Sequence, residues 1–159
     1  MLPVKAADAS IKISKVHLCC KGCVTGVEKA AGKIEGVSAS VDKDAGTVTL
    51  TGPDTATVQK AAKALVAAGY YGKSSDAKVK VKGGSKAKGE KVQSLKVEGV
   101  HLCCAKCVTG VDEALKSVAG VRSQNAEKGA KSFEVTGDFK DKDVFSALHK
   151  AGFAGKVGK

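Results

Sequence analysis

Hydrophobic and polar residues follow a pattern along this chain that predicts short strands separated by amphipathic helices. Alternation at residues 11–13 predicts a first strand, and a helix follows it with an apolar face made of Val24, Val27, Ala31 and Ile34. Alternating segments at 37–41 and 47–51 flank a turn at 44–46, so we expect a hairpin. Gly69 ends a second helix before a last strand, and the apolar face of that helix is made of Val58, Ala61, Ala62 and Leu65.

The second half of the chain repeats this order of elements. Residues 95–97 alternate as a strand, a second strand begins at 120–121, a third is predicted at 132–136, and 152–153 leads into a closing strand. Two helices have apolar faces made of Val108, Val111, Leu115 and Val118, and of Val144, Leu148 and Ala151. The order β-α-β-β-α-β therefore occurs twice. We predict an α+β protein with two ferredoxin-like units in tandem, each an antiparallel sheet with two helices on one face.

The segment 17–27 returns almost unchanged as 101–111, an offset of 84 residues. The two copies hold every cysteine of the chain, which are Cys19, Cys20, Cys23, Cys103, Cys104 and Cys107. Disulfides that stabilise a fold are usually spread along the chain, because closing a long loop restricts the unfolded state most. Clustered thiols instead indicate metal or redox chemistry. We call residues 17–23 and 101–107 the first and second cysteine loop.

The repeat divides the chain into a first unit (10–73), a linker (74–91) and a second unit (92–159). The linker is rich in Gly, Ser and Lys, which favours a flexible, extended tether, although Val79 and Val81 alternate with lysines as in a strand. Such a tether has an average reach of roughly 20 Å. The two cysteine loops can therefore either meet or act independently.

Each cysteine loop leads into a predicted helix, with Cys20 and Cys104 at the helix start and Cys23 and Cys107 three residues further on. A helix N-terminus stabilises negative charge and lowers the pKa of a thiol, so thiolates form readily there. Thiolates prefer soft ions, among which we expect Cu(I) first. Two sulfurs with this spacing can meet at one ion.

Charge and composition limit the classes of partner. The chain has a net charge of +11 with a single arginine and no Trp. This composition argues against nucleic-acid binding, which favours guanidinium groups and exposed aromatic rings, and suits an acidic protein partner instead. No run of 18 apolar residues is present, so we expect no membrane span. Residues 2–9 lack the apolar core of a signal peptide, which leaves an exported and a cytoplasmic location both open.

The Cys-x-x-Cys at 20–23 and 104–107, followed by Val-x-x-Val in a β-α-β-β-α-β unit, resembles the heavy-metal-associated domain of copper chaperones, copper-pump tails and mercury-binding proteins. The resemblance covers both units and includes the Gly-aromatic steps 69–70 and 152–153, where it implies that the ring shields the metal loop. It also implies a metal-binding protein rather than an enzyme. Cu(I) is the most favoured ion, and Hg(II), Zn and Cd are the alternatives.

Two features of the loops depart from this family. Cys19 and Cys103 each precede the family's first cysteine. As third thiolates they would allow three-coordinate binding or a shared multinuclear copper site, whereas as packed thiols they would act as small hydrophobic residues. His17 and His101 are the less favoured ligand candidates, because imidazole suits Zn or Cu(II).

The family's usual Met is also missing. Either Gly99-Val100 takes its place in a loop two residues longer, or Leu18 and Leu102 replace it with a shifted strand. His149 has no counterpart in the first unit, and we predict that it is a surface residue.

We therefore expect a soft-metal-binding protein, with Cu(I) chaperoning or sequestration through two Cys-Cys-x-x-Cys loops as the leading function. Binding of Hg(II), Cd or Zn for detoxification is the alternative within this class. Thiol–disulfide exchange is a different class that also uses Cys-x-x-Cys, but the chain lacks the Trp and the suitably placed proline of thioredoxin-like proteins. The expected partners are the metal ion and an acidic metal-transport or target domain, and a metal-bridged dimer stays open.

Overall fold

The computed structural model describes residues 9–82 and 85–158, which form two units with the same element order. The first unit contains β1 (Ala9–Ser14), α1 (Lys21–Gly32), β2 (Ser38–Asp42), β3 (Thr47–Gly52), α2 (Thr55–Ala67) and β4 (Lys73–Ser74). The second contains β5 (Lys91–Glu98), α3 (Ala105–Lys116), β6 (Val121–Gln124), β7 (Ser132–Lys140), α4 (Asp141–Lys150) and β8 (Lys156–Val157). The predicted order β-α-β-β-α-β is confirmed in both.

Each unit has one four-stranded antiparallel sheet, with the strand order β2-β3-β1-β4 in the first and β6-β7-β5-β8 in the second. The identical order shows that the sequence repeat is a repeat of the fold. Ile11 lies opposite Leu50 at the centre of the first sheet, and Leu95 lies opposite Val135 in the second. These four side chains are buried, because alternate strand residues point to the face that the helices cover.

The helix faces match the predicted apolar positions closely. All four predicted residues of α2 are buried. In α4 the buried apolar residues are Val144, Phe145 and Leu148, whereas the predicted Ala151 is the C-cap and is only partly buried. In α1 the buried apolar face consists of Val27, Ala30, Ala31 and the side chain of Cys23, whereas Val24 is only partly buried. The first turn of α1 is therefore oriented so that Cys23, rather than Val24, packs into the core.

The helix starts differ in a way that matters for the cysteine loops. Asp54 caps α2, since its side chain accepts a hydrogen bond from Thr57 N at 2.7 Å. Cys20 and Cys104 occupy the corresponding cap positions of α1 and α3, but neither side chain makes a capping hydrogen bond. The N-terminal N–H groups of α1 and α3 thus leave their positive partial charge facing the sulfurs.

The flexibility of the linker stays a prediction, but its described residues make specific contacts with both units. Val79 is buried. Lys80 N donates a hydrogen bond of 2.8 Å to Gln59 Oε1 on α2, and Lys80 O accepts one of 2.8 Å from Gln59 Nε2. At the other end, Ser85 O accepts a hydrogen bond from Val157 N. The alternation at 78–82 does not form a strand. Among the described residues, no helix combines the length and the apolar character needed to cross a membrane.

Asp141 fastens the end of the linker to α4, and we expect its removal to destabilise the second unit. Its carboxylate accepts hydrogen bonds from the backbone N–H groups of Lys88, Gly89 and Lys142. Burial acts to raise the pKa of Asp141, but these donors outweigh it and hold the pKa below the usual range. Asp141→Ala should lower the unfolding free energy at neutral pH by about 1–3 kcal/mol, as measured by urea denaturation.

The direction of the pKa shift determines how the stability contribution of Asp141 changes with pH. Because the folded-state pKa is depressed, the contribution of Asp141 is complete above the unfolded-state pKa of about 3.9 and is lost as the pH falls through the folded-state pKa. The difference between wild type and Asp141→Ala should therefore shrink in acid. Asp143→Ala changes an exposed carboxylate in the same helix turn and serves as the control. An equal loss of stability in both variants would contradict the prediction.

Candidate metal centre

The two cysteine loops face each other across the boundary between the units. The shortest Sγ–Sγ separations join cysteines of different units, and they are 2.9 Å for Cys19–Cys104, 3.0 Å for Cys23–Cys103 and 3.3 Å for Cys19–Cys107. Separations within one loop are longer, at 3.7 Å for Cys19–Cys23 and 3.5 Å for Cys103–Cys107. The structure thus brings the predicted ligand residues of both loops together in one group of sulfurs.

The sulfurs differ in their access to solvent. Cys23 and Cys107 are fully buried, each on the first turn of its helix. The other four cysteines are partly buried and lie nearer the surface of the group. An ion reaching the centre from solvent therefore meets partly exposed sulfurs first and buried sulfurs behind them.

The sulfurs also differ in the direction of their pKa shifts. Hydrogen bonds with Cys107 above all, and then with His101 and Cys103, hold the pKa of Cys23 well below its usual range, although burial acts to raise it. Burial acts to raise the pKa of Cys104, but the hydrogen bond with Cys19 and the N–H groups at the start of α3 lower it to about 6. Both sulfurs lie at or within the first turn of α1 and α3, where the helix-start argument predicts that thiolates form readily.

The other three cysteines with a clear shift have a raised pKa, which favours the protonated thiol. Burial and the hydrogen bond donated to Cys104 raise the pKa of Cys19 to about 12. Burial and a hydrogen bond to Cys23 likewise raise the pKa of Cys103, and the pKa of Cys107 is raised by its bond to Cys23 and by burial. A soft ion that binds here takes the place of these sulfur-bound protons, so its binding releases protons.

His101 joins the second cysteine loop to the backbone of the first unit. Its Nδ1 lies 2.6 Å from Gly69 O and its Nε2 lies 3.1 Å from His17 O. His101 therefore contacts the backbone of the first unit with both sides of its ring. Its role as a metal ligand stays a prediction.

His17 has a different environment from its counterpart His101. Its ring stacks on Phe153 with centroids 4.3 Å apart, and its buried Nε2 has no hydrogen-bond partner among the described residues. Burial, followed by the charge of nearby His101, lowers the pKa of His17 and favours the neutral ring. Potential ligand atoms of His17, His101 and Cys107 lie within 4.8 Å of one another. Both predicted histidine ligands therefore lie beside the buried sulfur of Cys107.

Two glycines bring the backbones of the units into direct contact. Gly152 O accepts hydrogen bonds from His17 N at 3.3 Å and Tyr71 N at 3.2 Å, and Gly69 O accepts one from Ala154 N at 2.9 Å. Both glycines have positive φ angles, +96° at Gly69 and +89° at Gly152. A Cβ atom at either position would collide with the backbone of the other unit's loop. Glycine is therefore required at both positions for two reasons: the positive φ angle, and the close approach of the backbones of the two units.

The aromatic rings after α2 and α4 cross over between the units. Tyr70 stacks on His101 at 4.1 Å, and Phe153 stacks on His17, while Tyr70 and Phe153 form an antiparallel bridge. Each ring thus covers the histidine of the opposite loop as well as packing near a helix glycine of its own unit, Gly26 or Gly110. The shielding that the resemblance implies is therefore reciprocal.

The structure also settles the local shape of the loops. Leu18 and Leu102 are both buried directly before the cysteines, and so are Val16 and Val100, so each loop packs two apolar side chains rather than one. Lys15 has a φ angle of +60° where its counterpart Gly99 has +82°. This left-handed residue turns the chain sharply after β1 or β5.

One prediction about this region is wrong. His149 is not a surface residue, because its ring stacks on Tyr71 of the first unit at 4.1 Å and its Nε2 is buried. Sequence reasoning missed His149, Gly69 and Gly152 as interface residues. The repeated Gly-aromatic step carried a signal for the two glycines, but nothing in the sequence marked His149, since it has no repeat partner.

A β-α-β-β-α-β unit with thiol ligands at the start of its first helix defines a class of small metal-binding domain. Residues 11–71 match the family model described as "Heavy-metal-associated domain". The first unit belongs to this family. The second unit repeats its strand order and its cysteine loop, so the chain is a tandem of two heavy-metal-associated units. The predicted family and fold class are confirmed.

Solved structures with a similar fold include a copper binding domain from HMA7, a P-type ATPase, at 24% identity and a TM-score of 0.40, covering 43% of this chain and 96% of that one. The N-terminal domain of PacS from Synechocystis PCC6803 has 22% identity and a TM-score of 0.39, covering 43% and 100%. The N-terminal soluble domains of Bacillus subtilis CopA have 20% identity and a TM-score of 0.34, covering 99% and 97%. These likenesses are too weak to add to the family match. No curated protein matches the chain.

Proposed function

We propose that this protein binds Cu(I) and sequesters it between its two units. The observation that carries the proposal is the convergence of all six Sγ atoms at the interface, with the shortest separations between units. No other class of ligand contributes comparably, since thiolates and thiols are soft donors that favour soft ions. The heavy-metal-associated family of the first unit supports the same class of cargo.

Cu(I) is favoured over the alternative ions by charge as well as by softness. A monovalent ion held by several thiolates leaves a negative centre, and the N-termini of α1 and α3 both lie next to it. Exposed Lys21, directly after Cys20, and exposed Lys106, two residues after Cys104, add positive charge nearby. Hg(II), Zn and Cd remain the alternatives, because groups of four sulfurs also suit ions that prefer tetrahedral coordination.

Sequestration fits the geometry better than simple delivery to a partner. Tyr70 and Phe153 stack on the histidines of the opposite loops, and each loop packs against the other loop. An acidic target domain attracted by the net charge of +11 would meet the four partly buried sulfurs first, and it would reach the buried Cys23 and Cys107 only after the units separate. Because both loops come from one chain, no metal-bridged dimer is needed, and we expect the mass in solution to be that of a monomer with and without metal.

Anaerobic titration of the reduced chain with Cu(I) tests the proposal. Against a competing Cu(I) chelator we expect saturable binding with release of protons, and Hg(II), Cd(II) and Zn(II) added in competition establish the preferred ion. A variant with all six cysteines changed to Ser is the control and should bind no Cu(I). Wild-type binding no stronger than that of the control would refute the proposal.

Thiol–disulfide exchange is the second candidate, and the close approach of Cys19 to Cys104 and of Cys23 to Cys103 favours it. Robust metal-free reduction of insulin disulfides would support that function. We expect none, because Cys23 is fully buried and the centre is covered by aromatic rings.

A further inference from the structure

The sulfurs form two groups of four that overlap. One group consists of Cys19, Cys20, Cys103 and Cys104, and the other of Cys19, Cys23, Cys103 and Cys107. Within each group all ligand atoms lie within 4.8 Å of one another. Cys19 and Cys103 belong to both groups. They are also the two residues by which these loops depart from a plain Cys-x-x-Cys motif.

The separations within the groups suit metal coordination by shared sulfurs. Sulfurs bound tetrahedrally at 2.3 Å stand about 3.8 Å apart. The Sγ–Sγ distances of 3.6 Å for Cys20–Cys103, 3.7 Å for Cys19–Cys23, 3.9 Å for Cys23–Cys107 and 3.5 Å for Cys103–Cys107 lie near this value. Three further pairs within the groups lie closer and would have to widen around an ion: Cys19–Cys104 at 2.9 Å, Cys23–Cys103 at 3.0 Å and Cys19–Cys107 at 3.3 Å. Each of these pairs joins the two units, so an ion held between them is shared by both loops.

A single ion cannot bind all six sulfurs of this centre. A thiophilic ion binds at most four sulfurs, so one ion would leave at least two sulfurs without a role. Six thiolates around one Cu(I) would also leave five negative charges uncompensated, and like charges repel strongly where water is excluded. A second ion relieves this repulsion, and it does so best where two thiolates each contact both ions.

We propose that the two groups are halves of one polynuclear centre, which holds at least two soft ions with Cys19 and Cys103 as bridging thiolates. This inference rests on the proposed function. The outer ion lies in the group made only of partly buried cysteines, Cys19, Cys20, Cys103 and Cys104. The inner ion is held by the fully buried Cys23 and Cys107 behind the bridging pair. The two ions therefore differ in access, and a chelator removes the outer ion first.

X-ray absorption spectroscopy of the anaerobically Cu(I)-loaded full chain tests for the shared centre without any variant. We expect at least two copper ions per chain, only sulfur or sulfur and nitrogen neighbours, and a short copper–copper scattering contribution. Copper bound at one ion per loop with no copper–copper contribution would overturn the inference while leaving the proposed function intact. A chain that binds no Cu(I) would end both.

Two double variants separate bridging from terminal ligands. Cys19→Ser with Cys103→Ser removes ligands from both groups, so both phases of Cu(I) release to a chelator should accelerate, with affinity reduced at least about 100-fold and copper–copper scattering lost. Cys20→Ser with Cys104→Ser removes ligands only from the outer group, so one tightly held inner ion should remain. Equal behaviour of the two variants, or wild-type affinity and scattering in the Cys19 and Cys103 variant, would overturn the assignment.

Discussion

Gly152→Ala is expected to weaken Cu(I) binding although it changes no ligand. The new Cβ atom would stand 2.8 Å from Lys15 O and would also collide with His17 N in the first unit. Relieving this clash between backbones requires the units to move apart, at a cost of about 1–3 kcal/mol. If that cost falls entirely on the closed, metal-binding arrangement, the affinity decreases about 5- to 150-fold. Competition titration against a Cu(I) chelator measures the change.

Gly129→Ala is the matched control for this variant. Gly129 has a φ angle of +81°, close to the +89° of Gly152, but no atom lies within 4 Å of the position its Cβ would take. Both variants therefore carry the same free-energy cost of placing alanine in the left-handed backbone conformation. Only Gly152→Ala disturbs the interface between the units. Small-angle scattering should show a larger radius for Gly152→Ala alone. Equal Cu(I) affinity in the two variants would show that contact between the units does not contribute to binding.

Leu148→Ala is expected to produce the largest loss of stability. Leu148 is fully buried on α4, in a unit too small to have much stability in reserve. Truncating a buried leucine leaves a cavity and costs about 2–5 kcal/mol. Urea denaturation of the reduced, metal-free chain should show early unfolding of the second unit. The first unit should keep its own transition, because its core residues, such as Leu50 and Leu65, belong to a separate sheet and helix pair.

Cu(I) should restore much of the stability that Leu148→Ala removes. Only the folded pair of loops holds the sulfurs together, so an ion at a thousand times its dissociation constant adds about 4 kcal/mol. Ser146→Ala changes an exposed residue of the same helix and serves as the control, with little change expected in either state. If saturating Cu(I) left the unfolding midpoint of Leu148→Ala unchanged, the folded second unit would not be required for binding.

Much of the fold was predictable because it depends on residues close in sequence. The face of α2, with Val58 and Leu65, follows from a spacing of three to four residues. The strands followed from alternation in the same way. Two details of α1 were missed: Cys23 packs inward while Val24 is partly exposed, and the helix ends at Gly32, before Ile34. The first of these depends on how the cysteine loop enters the helix.

The candidate site was predictable as a set of residues but not as an arrangement. The repeat marks all six cysteines, and the position of Cys20 and Cys104 at the helix start explains how thiolates form. The pairing of Cys19 with Cys104 joins residues 85 positions apart in sequence. Such a contact depends on how two complete units dock, and no local pattern encodes it.

The sequence by itself determined two repeated units, their helix and strand order, and a soft-ligand loop in each, because periodicity, caps and clustered thiols act over a few residues. Only the tertiary structure decided that the two loops meet in one group of sulfurs and that His101 contacts the backbone of the first unit. It also showed that Gly69 and Gly152 allow the close approach. The physical reason is that these outcomes depend on contacts between surfaces, where the geometry of one folded unit selects which atoms of the other it meets.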